Sequence, residues 1–420
     1  MLADPVRTIA QSLIALAATF CLSIVSLAND DWPQFRGPTA DGHATAKNVP
    51  STWNDQENIA WKVDLPGAGW SSPIVRDGRV YLTYSTGGDA NEDLELGACC
   101  LNAKSGDLLW KKICFTHKTA SLPKIHSKNS HASPTPTVDG DRLFIHFGHL
   151  GTACLTTEGD STWKNEEIKY PPVHGSGASP ILYKEKLIFS CDGASEPFVI
   201  ALDAKTGKTA WKTPRQQDAK KYFAFATSSI IDVDGQAQLI SPGADCVMAL
   251  NPETGEEYWR VKYSGYSIIP KPVYANGLIY LSTGYDDPKL LAVHPHHAPS
   301  KLAARIKWEF DKGAPNTPSM IAVEKMLFMV SDSGIVTCLD GVAGKQIWQK
   351  RIGGNFSASP FFAEGRIYLT DEKGLTTVIE AGDKYVEIAK NDLKEDTLAS
   401  AAVTDGAIYI RGENRLYKIE

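Results

Sequence analysis

Histidines are the side chains with the clearest potential for chemistry, because they cluster. Six of the ten lie within about sixty residues, and three more form a second group. The first group is His117, His126, His131, His146, His149 and His174, and the second is His294, His296 and His297. Imidazole is a common metal ligand, but no pair has a cysteine or a helical i, i+4 partner typical of a zinc site. The spacing therefore favours loop histidines with ordinary hydrogen bonds.

Other catalytic patterns are missing from the sequence. Turns such as Thr-Gly-Lys at 206–208 differ from a phosphate loop, which needs Gly-Lys-Ser/Thr at the start of a helix. The chain contains no G-x-S-x-G motif. Spacing assigns neither a Ser-His-Asp nor a Cys-His arrangement.

The N-terminus predicts export. Arg7 precedes the apolar run IAQSLIALAATFCLSIVSLA at 9–28, which ends in small residues. This order is typical of a secretory signal cleaved after Ala28. A membrane anchor is the alternative, because the run is long enough to span a bilayer. Lipidation at Cys21 is disfavoured by the bulky Phe20 before it.

Composition and cysteine count limit the class of protein. The chain has 420 residues, is 43% hydrophobic, and contains 34 Gly and 24 Pro, which favours a large core with many turns. Its net charge of -6 and its lack of Lys/Arg runs argue against a nucleic-acid partner. After signal cleavage seven cysteines remain, an odd number that predicts at least one free thiol in an oxidising compartment.

A fixed frame recurs along the chain. In VIALDAKTGKTAWK, at 199–212, a small residue is followed by Gly six positions later and by Trp ten positions later. The copies are Ala201, Gly207, Trp211; Ala153, Gly159, Trp163; Ala249, Gly255, Trp259; Cys100, Gly106, Trp110; and Cys338, Gly344, Trp348. A recurring frame of this length predicts a repeat architecture.

Hairpins alternate with this frame. Strand–turn–strand patterns, often opening with Ser-Pro, lie at 70–84, 131–147, 177–191, 271–283, 357–371 and 399–412. Each hairpin and the frame after it predict four antiparallel strands. The units recur every 38 to 53 residues, judged from Trp61, Trp110, Trp163, Trp211, Trp259, Trp308, Trp348 and Val386. This spacing is typical of a propeller blade.

The strand count predicts how the ring closes. Eight hairpins are found, but the last has no room for an outer strand before Glu420. IAWKVDL, at 59–65, has no hairpin before it, so we expect it to complete the last blade. The sequence therefore predicts an all-β, eight-bladed propeller, with seven blades as the alternative. The predicted divisions are a signal peptide (1–28), an N-terminal strap (29–57) and the propeller (58–420).

The tryptophans predict a structural girdle. Each indole on an outer strand is expected to lie across the neighbouring blade, with its face near the repeat glycine. These structural residues are Trp61, Trp110, Trp163, Trp211, Trp259, Trp308 and Trp348. Irregularities are expected in blade five, which inserts 294–307, and in blade seven, whose frame we align as Thr376, Gly382 and Val386.

The A-x-D-x-x-T-G-K-x-x-W frame resembles the tryptophan-docking motif of the pyrroloquinoline quinone (PQQ) repeat family over about 58–420. DWPQFRGP, at 31–38, resembles the approach segment of such proteins. WD40 repeats fit less well, since no tryptophan is followed by Asp. The resemblance implies two kinds of function: PQQ-dependent alcohol dehydrogenases, and non-enzymatic scaffolds such as the outer-membrane assembly propeller.

A dehydrogenase of this family would need PQQ, calcium with oxygen ligands and a carboxylate base. In propellers such groups lie on the segments that lead into the innermost strands. Only the last of these carries acids, Glu395 and Asp396. The expected channel-mouth residues are Trp70, Asn129, His131, His174, Tyr266, Lys271, Asn316 and Asn355. That set suits neutral or anionic groups better than calcium, so no cofactor is expected.

The resemblance also raises a disulfide between adjacent cysteines, Cys99 and Cys100, as found in alcohol-oxidising members. The frame argues against it, because Cys100 occupies the small-residue position and Cys99 then points to the opposite face of the strand.

Together these patterns favour an exported protein, periplasmic or extracellular, whose single propeller ring acts as a non-enzymatic binding or assembly scaffold. A PQQ-dependent alcohol or sugar dehydrogenase is one alternative. A small-molecule or glycan sensor around His131, His174 and Tyr266 is the other. The expected partner is a protein or small molecule at a loop face of a monomer, with membrane association only through an uncleaved signal.

Overall fold

The computed structural model describes residues 31–89, 92–216, 219–296 and 305–420. The predicted signal peptide lies outside these ranges. Within them the regular structure is almost entirely β-strand, with two short 3-10 helices at Thr119–Ser121 and Gly148–Leu150. In the described part of the chain, no helix is both long and apolar enough to cross a membrane.

The strands form eight four-stranded antiparallel sheets, each a blade. Blade 1 contains β2 (Ile74–Arg76), β3 (Arg79–Thr86), β4 (Leu94–Asn102) and β5 (Leu108–His117), after β1 (Ile59–Asp64). Blade 2 contains β6 (Thr137–Asp139), β7 (Arg142–His146), β8 (Thr152–Thr156) and β9 (Ser161–Asn165). Blade 3 contains β10 (Ile181–Tyr183), β11 (Lys186–Cys191), β12 (Phe198–Asp203) and β13 (Thr209–Pro214). Blade 4 contains β14 (Ser229–Val233), β15 (Gln236–Gly243), β16 (Cys246–Leu250) and β17 (Glu257–Lys262).

The second half repeats the pattern. Blade 5 contains β18 (Val273–Ala275), β19 (Leu278–Ser282), β20 (Leu290–Val293) and β21 (Ile306–Phe310). Blade 6 contains β22 (Ile321–Val323), β23 (Met326–Val330), β24 (Ile335–Asp340) and β25 (Gln346–Arg351). Blade 7 contains β26 (Phe361–Ala363), β27 (Arg366–Thr370), β28 (Leu375–Glu380) and β29 (Glu387–Asp392). Blade 8 contains β30 (Ala402–Thr404), β31 (Ala407–Arg411) and β32 (Arg415–Ile419) together with β1.

The ring closes as the strand count predicts. β1 pairs antiparallel with β32, from Ile59 opposite Ile419 to Asp64 opposite Arg415. The first strand of the propeller is thus the outermost strand of its last blade. The predicted eight-bladed, all-β fold is confirmed.

Blade 3 shows why the repeated frame folds as it does. In β12 every residue from Phe198 to Leu202 is buried, since the strand is covered by a blade on each face. At the following turn the Asp203 carboxylate accepts hydrogen bonds from the Thr206 amide (2.9 Å) and hydroxyl (2.8 Å). Gly207 then adopts a φ of +71°, which favours glycine. The frame therefore encodes a capped turn between two strands.

Among the described residues, the girdle joins six of the eight blades to the next one. A Cβ added at Gly207 would lie 2.4 Å from Cε3 of Trp163, so the indole covers the neighbouring glycine. The indole N–H also donates to a carbonyl of the next blade: Trp61 to Ala103 (3.2 Å), Trp110 to Thr157 (3.0 Å), Trp163 to Ala204 (2.9 Å), Trp211 to Pro252 (3.2 Å), Trp308 to Gly341 (3.0 Å) and Trp348 to Gly382 (3.0 Å).

The girdle is interrupted between blades 4 and 5. The indole of Trp259 donates to Gln238 Oε1 of its own blade at 2.9 Å. The Arg305 guanidinium lies over the Trp259 ring, 4.6 Å from its centroid. The girdle is therefore irregular between blades 4 and 5, where Arg305 of the 294–307 insertion covers Trp259, whereas Trp308 of blade 5 docks on blade 6 in the regular way.

The sequence alignment of the repeated frame was wrong in two blades, because their turns differ in length from the turn of blade 3 by one residue. In blade 2 the turn is one residue shorter than in blade 3, so Cys154, and not Ala153, lies opposite Trp163. In blade 7 the turn is one residue longer, and Ala389 opposite Val378 takes the tryptophan position in place of Val386 opposite Thr376. A fixed residue count cannot detect a change in turn length.

The described part of the strap, 31–57, crosses one face of the ring. Trp32 pairs with Val75 of blade 1, and Pro33 accepts the Val138 N–H of blade 2 at 2.9 Å. Beyond the crossing, Gly42 accepts the Phe362 N–H of blade 7 at 2.9 Å. These contacts lie toward the turns that close the inner hairpins, so the strap spans that end of the central channel.

Candidate functional site

A ring of polar residues, seven of them Ser or Thr and one of them Lys, surrounds the channel. Each blade contributes the residue two positions before its innermost strand: Ser72, Thr135, Ser179, Thr227, Lys271, Ser319, Ser359 and Ser400. Six ring N–H groups donate to the hydroxyl of the next blade: Ser72 to Thr135 (2.9 Å), Thr135 to Ser179 (2.9 Å), Ser179 to Thr227 (2.9 Å), Lys271 to Ser319 (3.0 Å), Ser319 to Ser359 (3.1 Å) and Ser359 to Ser400 (2.9 Å). The ring thus ties neighbouring blades together at the axis.

This hydrogen bonding has a chemical consequence. A hydroxyl oxygen that accepts a backbone N–H still has its own O–H to donate. The Ser359 hydroxyl donates to Ser319 at 3.1 Å. Within the described ranges, the ring hydroxyls of Thr135, Ser179 and Ser400 accept a backbone N–H and keep their own hydrogen to offer to a ligand. The ring is therefore a set of donors suited to oxygen-rich groups.

The channel contains a cavity of about 350 Å³, the size of a small-molecule site. Six ring residues line it, and Phe35 of the strap also belongs to its wall. Because the strap spans the ring at that end, the cavity is a pocket that opens on the opposite face.

One wall of the mouth is a row of rings. His126 contacts His174 with centroids 5.5 Å apart, His174 contacts Phe223 at 5.4 Å, and Phe223 contacts Tyr266 at 5.4 Å. The Lys221 ammonium lies 3.8 Å from the Tyr266 centroid. Such edge-to-face rings present apolar area with little side-chain freedom to lose on binding.

The opposite wall is held by an ion pair. Lys128 Nζ lies 2.6 Å from Glu372 Oε1, and the Ser357 hydroxyl donates to the same oxygen at 2.6 Å. Lys128 belongs to the β5–β6 connection, whereas Glu372 belongs to blade 7. The His126 N–H and Asn129 Nδ2 of that connection donate to the His174 carbonyl at 3.1 and 2.8 Å. The connection is thus fixed at both sides of the mouth.

Two buried cations lie at the strap end. Lys271 Nζ donates to the Ser228 carbonyl at 2.7 Å. The Arg36 guanidinium donates to the carbonyls of Met320 (2.6 Å) and Pro360 (3.2 Å). Burial, with the nearby charge of Arg36, lowers the pKa of Lys271 to about 7. Burial also lowers the pKa of Arg36 to about 10.

The channel-mouth residues expected from the sequence divide into two sets. Those that line the cavity are Trp70, Asn129, His174 and Tyr266. Those that do not line it are His131, Lys271, Asn316 and Asn355. His131 is partly buried beside His117. The Asn316 backbone N–H binds Asp332, and Asn355 is exposed. Lys271 belongs to the ring, but it is buried and does not line the cavity.

Sequence reasoning missed several lining residues, namely Phe35, His126, Lys128, Lys221, Phe223 and Tyr285. Phe35 comes from the strap, whose path across the ring has no local signal. His126 and Lys128 lie in a long connection that folds back over the mouth. Their distance from the innermost strands hid them, although the histidine cluster at 117–174 pointed to the region.

The lining does not fit a calcium-bound quinone cofactor. Among the described residues that line the cavity, none is Asp or Glu, whereas calcium takes carboxylate-rich oxygen sites. Glu395 accepts the N–H groups of Asn414 (2.9 Å) and Arg415 (3.0 Å), and Asp396 pairs with Lys373. Across the described ranges, no three His, Cys, Asp or Glu side chains group as a metal site; His297 lies outside them.

The cysteines in the described part of the chain are structural in character. Each of the seven described cysteines is a buried free thiol, and burial raises the pKa of Cys99 and of Cys100 to about 12. Cys100 lies opposite Trp110, in the small-residue position, while Cys99 pairs with Leu82. They pack as small apolar side chains.

The sequence is similar to that of known propeller proteins. A family profile described as outer membrane protein assembly factor BamB matches residues 95–213, 195–326 and 305–420. A polyvinylalcohol dehydrogenase of Pseudomonas sp. is 24% identical over 257 residues, which are 51% of this chain and 37% of that protein. The chain thus spans well under half of that relative's length.

Solved structures share the fold. BamB from Moraxella catarrhalis superposes with a TM-score of 0.56 at 15% identity, covering 86% of this chain and 96% of that one. Quinohemoprotein alcohol dehydrogenase from Comamonas testosteroni gives a TM-score of 0.62 at 12% identity, covering 93% and 80%. With three overlapping profile matches that together span residues 95–420, the chain belongs to the PQQ-like repeat family described as outer membrane protein assembly factor BamB.

Proposed function

We propose that this chain is an exported, non-enzymatic binding propeller whose central channel holds a small molecule. The observation that carries the proposal is the pocket itself: about 350 Å³, bounded at one end by the strap and lined by rings and hydroxyl donors. A mixture of apolar rings and a few placed polar groups is the usual composition of a ligand site. The described lining supplies no carboxylate base for alcohol oxidation.

The test uses two asparagines. The full chain is screened by thermal shift against neutral, anionic and cationic small molecules, and hits are titrated by calorimetry. Asn129→Ala alters the cavity wall, whereas Asn355→Ala changes an exposed asparagine outside it. We expect a hit whose affinity falls in Asn129→Ala and stays unchanged in Asn355→Ala. No hit at all, or equal effects of the two variants, would reject the channel as the binding site.

A second titration addresses the dehydrogenase alternative. PQQ is added to the chain with and without calcium, while tryptophan fluorescence and the reduction of an artificial electron acceptor by alcohols are followed. We expect no calcium-dependent dye reduction. Calcium-dependent quenching together with dye reduction would establish an oxidoreductase and overturn the non-enzymatic part of the proposal.

An assembly role is favoured by a separate surface. On β5, the outer strand of blade 1, Leu108, Leu109 and Ile113 have exposed fractions of 51%, 46% and 44%. This strand has 10 residues, longer than the other outer strands, and an exposed edge can pair with a strand of another protein. Replacing Leu109 and Ile113 by Lys should abolish co-purification of a partner if this surface carries assembly, and should leave small-molecule binding unchanged.

A further inference from the structure

Resting on the proposed function, we propose that residues 122–129, in the connection between β5 and β6, form a lid over the mouth of the channel. The ion pair between Lys128 and Glu372 is the latch that holds this lid closed. Opening of the latch admits molecules that are too large to pass the closed mouth. The lid therefore controls which solutes reach the pocket.

The path of the lid across the mouth is the first support. On one side the His126 N–H donates to the carbonyl of His174, in the segment that leads into blade 3, at 3.1 Å. On the other side Lys128 Nζ lies 2.6 Å from Oε1 of Glu372, in blade 7. Blades 3 and 7 lie opposite each other in a ring of eight. Since His126, Lys128 and Asn129 also line the cavity, the lid spans the opening above it.

The weak anchoring of the lid is the second support. None of residues 122–129 is buried. In the described part of the chain, the polar contacts that tie the lid to other blades are the Glu372 ion pair and two hydrogen bonds to the His174 carbonyl, from the His126 N–H and from Asn129 Nδ2. Segments with little buried surface and few such bonds open locally at low cost. Lids over binding sites share this property.

The latch has the strength that a reversible lid requires. The exposed fractions of the Lys128 and Glu372 side chains are 43% and 18%. The Ser357 hydroxyl donates to the same Glu372 oxygen at 2.6 Å and so fixes the carboxylate at the mouth. A partly exposed ion pair stabilises a structure only weakly, and salt screens it. The pair therefore favours the closed lid without making it permanent.

The experiment measures access to a thiol inside the channel, so it requires no ligand. Ser400 lines the cavity, and Ser400→Cys replaces its hydroxyl by a thiol. The seven described native cysteines are buried, and buried thiols react slowly. The wild-type chain, labelled in parallel, gives the background. Two neutral reagents with the same chemistry are compared by their labelling rates: the small N-methylmaleimide and the bulky N-pyrenylmaleimide.

Two lysine variants, both carrying Ser400→Cys, test the latch. Lys128→Met removes it, whereas Lys124→Met makes the same change at an exposed lysine of the lid that does not line the cavity. We expect Lys128→Met to raise the N-pyrenylmaleimide rate about two- to five-fold, the factor that a weak ion pair supplies, and to leave the N-methylmaleimide rate unchanged. Lys124→Met should change neither rate. An unchanged N-pyrenylmaleimide rate in Lys128→Met, or an equal rise for both reagents, would refute the lid.

Charge exchange separates the ion pair from the bulk of the lysine. Lys128→Glu places two acids face to face and should open the lid. Adding Glu372→Lys should restore the slow N-pyrenylmaleimide rate, because opposite charges then face each other again. A double variant that is labelled as fast as Lys128→Glu alone would exclude the pair as the latch.

Salt provides a test on the lid with its own residues. Raising the ionic strength from about 0.05 to about 0.5 M should increase the N-pyrenylmaleimide rate of the Ser400→Cys chain, but not of the chain that also carries Lys128→Met. A rate that does not respond to salt would contradict the latch. A refuted lid leaves the channel as a candidate binding site, because the labelling rates report the mouth alone. If no small molecule binds while the rates behave as expected, the binding proposal fails and the lid stands.

Discussion

The contact between Trp163 and Gly207 predicts a measurable cost for a single methyl group. A Cβ at Gly207 would lie 2.4 Å from Cε3 and 2.7 Å from Cδ2 of the indole. Both distances are well inside carbon–carbon contact, so Gly207→Ala must displace the ring or the turn. Overpacking of this kind costs about 1–3 kcal/mol. The φ of +71° adds about 1 kcal/mol for a residue with a Cβ. The expected total is about 2–4 kcal/mol.

Gly235 is a matched control, because it has the same backbone demand without the contact. Its φ is +85°, and an added Cβ would meet nothing within 4 Å. Gly235→Ala should therefore cost only the conformational part, about 1 kcal/mol. Urea denaturation followed by tryptophan fluorescence gives both values from the shift in midpoint. Equal destabilisation by the two variants would show that the indole does not restrict Gly207.

A double-mutant cycle isolates the pair. In a Trp163→Ala background the space above Gly207 is open, so adding Ala at 207 should cost about as much as Gly235→Ala. The coupling free energy between the two sites is then about 1–3 kcal/mol. A coupling near zero would mean that the girdle acts through the indole N–H bond to Ala204 alone.

Two further predictions concern buried charges. Asp192 and Arg215 form an ion pair with both side chains fully buried, so Asp192→Asn, which leaves Arg215 unpaired, should destabilise the fold by about 3–5 kcal/mol. Glu158→Gln, in an exposed pair, should cost under about 1 kcal/mol by the same denaturation assay; similar costs would contradict the assignment. Burial lowers the pKa of Lys271 from 10.5 to about 7, so the penalty for its charge is complete below pH 7 and fades as pH rises toward 10.5. Between pH 7 and 9 the free energy of unfolding of the wild type should therefore rise relative to Lys271→Ser by about 2 kcal/mol, and parallel pH profiles would contradict this.

The fold could be predicted because its determinants repeat. Trp211 contacts the next blade, and Gly207 contacts the preceding blade. Both residues lie at fixed positions relative to the same turn. A contact that is repeated in each blade requires the same residue types at a regular spacing in the sequence. Ring closure followed from strand counting, since blade 8 lacked an outer strand that β1 supplies.

The candidate site was harder to predict because its parts do not share a period. Phe35 and Arg36 reach the axis through a strap that crosses from blades 1 and 2 to blades 6 and 7, a path set by long-range contacts. Lys128 is placed by its bond to Glu372, 244 positions away in sequence. The Ser and Thr residues of the ring lie in the segments that lead into the innermost strands, which the sequence pattern had identified. Their role became clear only when their hydroxyls were seen to accept the N–H of the neighbouring blade.

The departures from symmetry would allow a radially repeated ring to hold a small molecule in one orientation, as the proposed function requires. A ring of identical hydroxyls offers eight equivalent directions and so fixes none of them. The rings of His126, His174, Phe223 and Tyr266 come from the segments that lead into blades 2 to 5, and Lys271 lies in blade 5. Blades 6 to 8 contribute smaller groups to the lining, such as Thr317, Ser357 and Leu398. Most of the aromatic rings that line the cavity therefore lie on one half of the channel. A small molecule with an apolar body, of the kind the proposed function calls for, would lie against the rings contributed by blades 2 to 5.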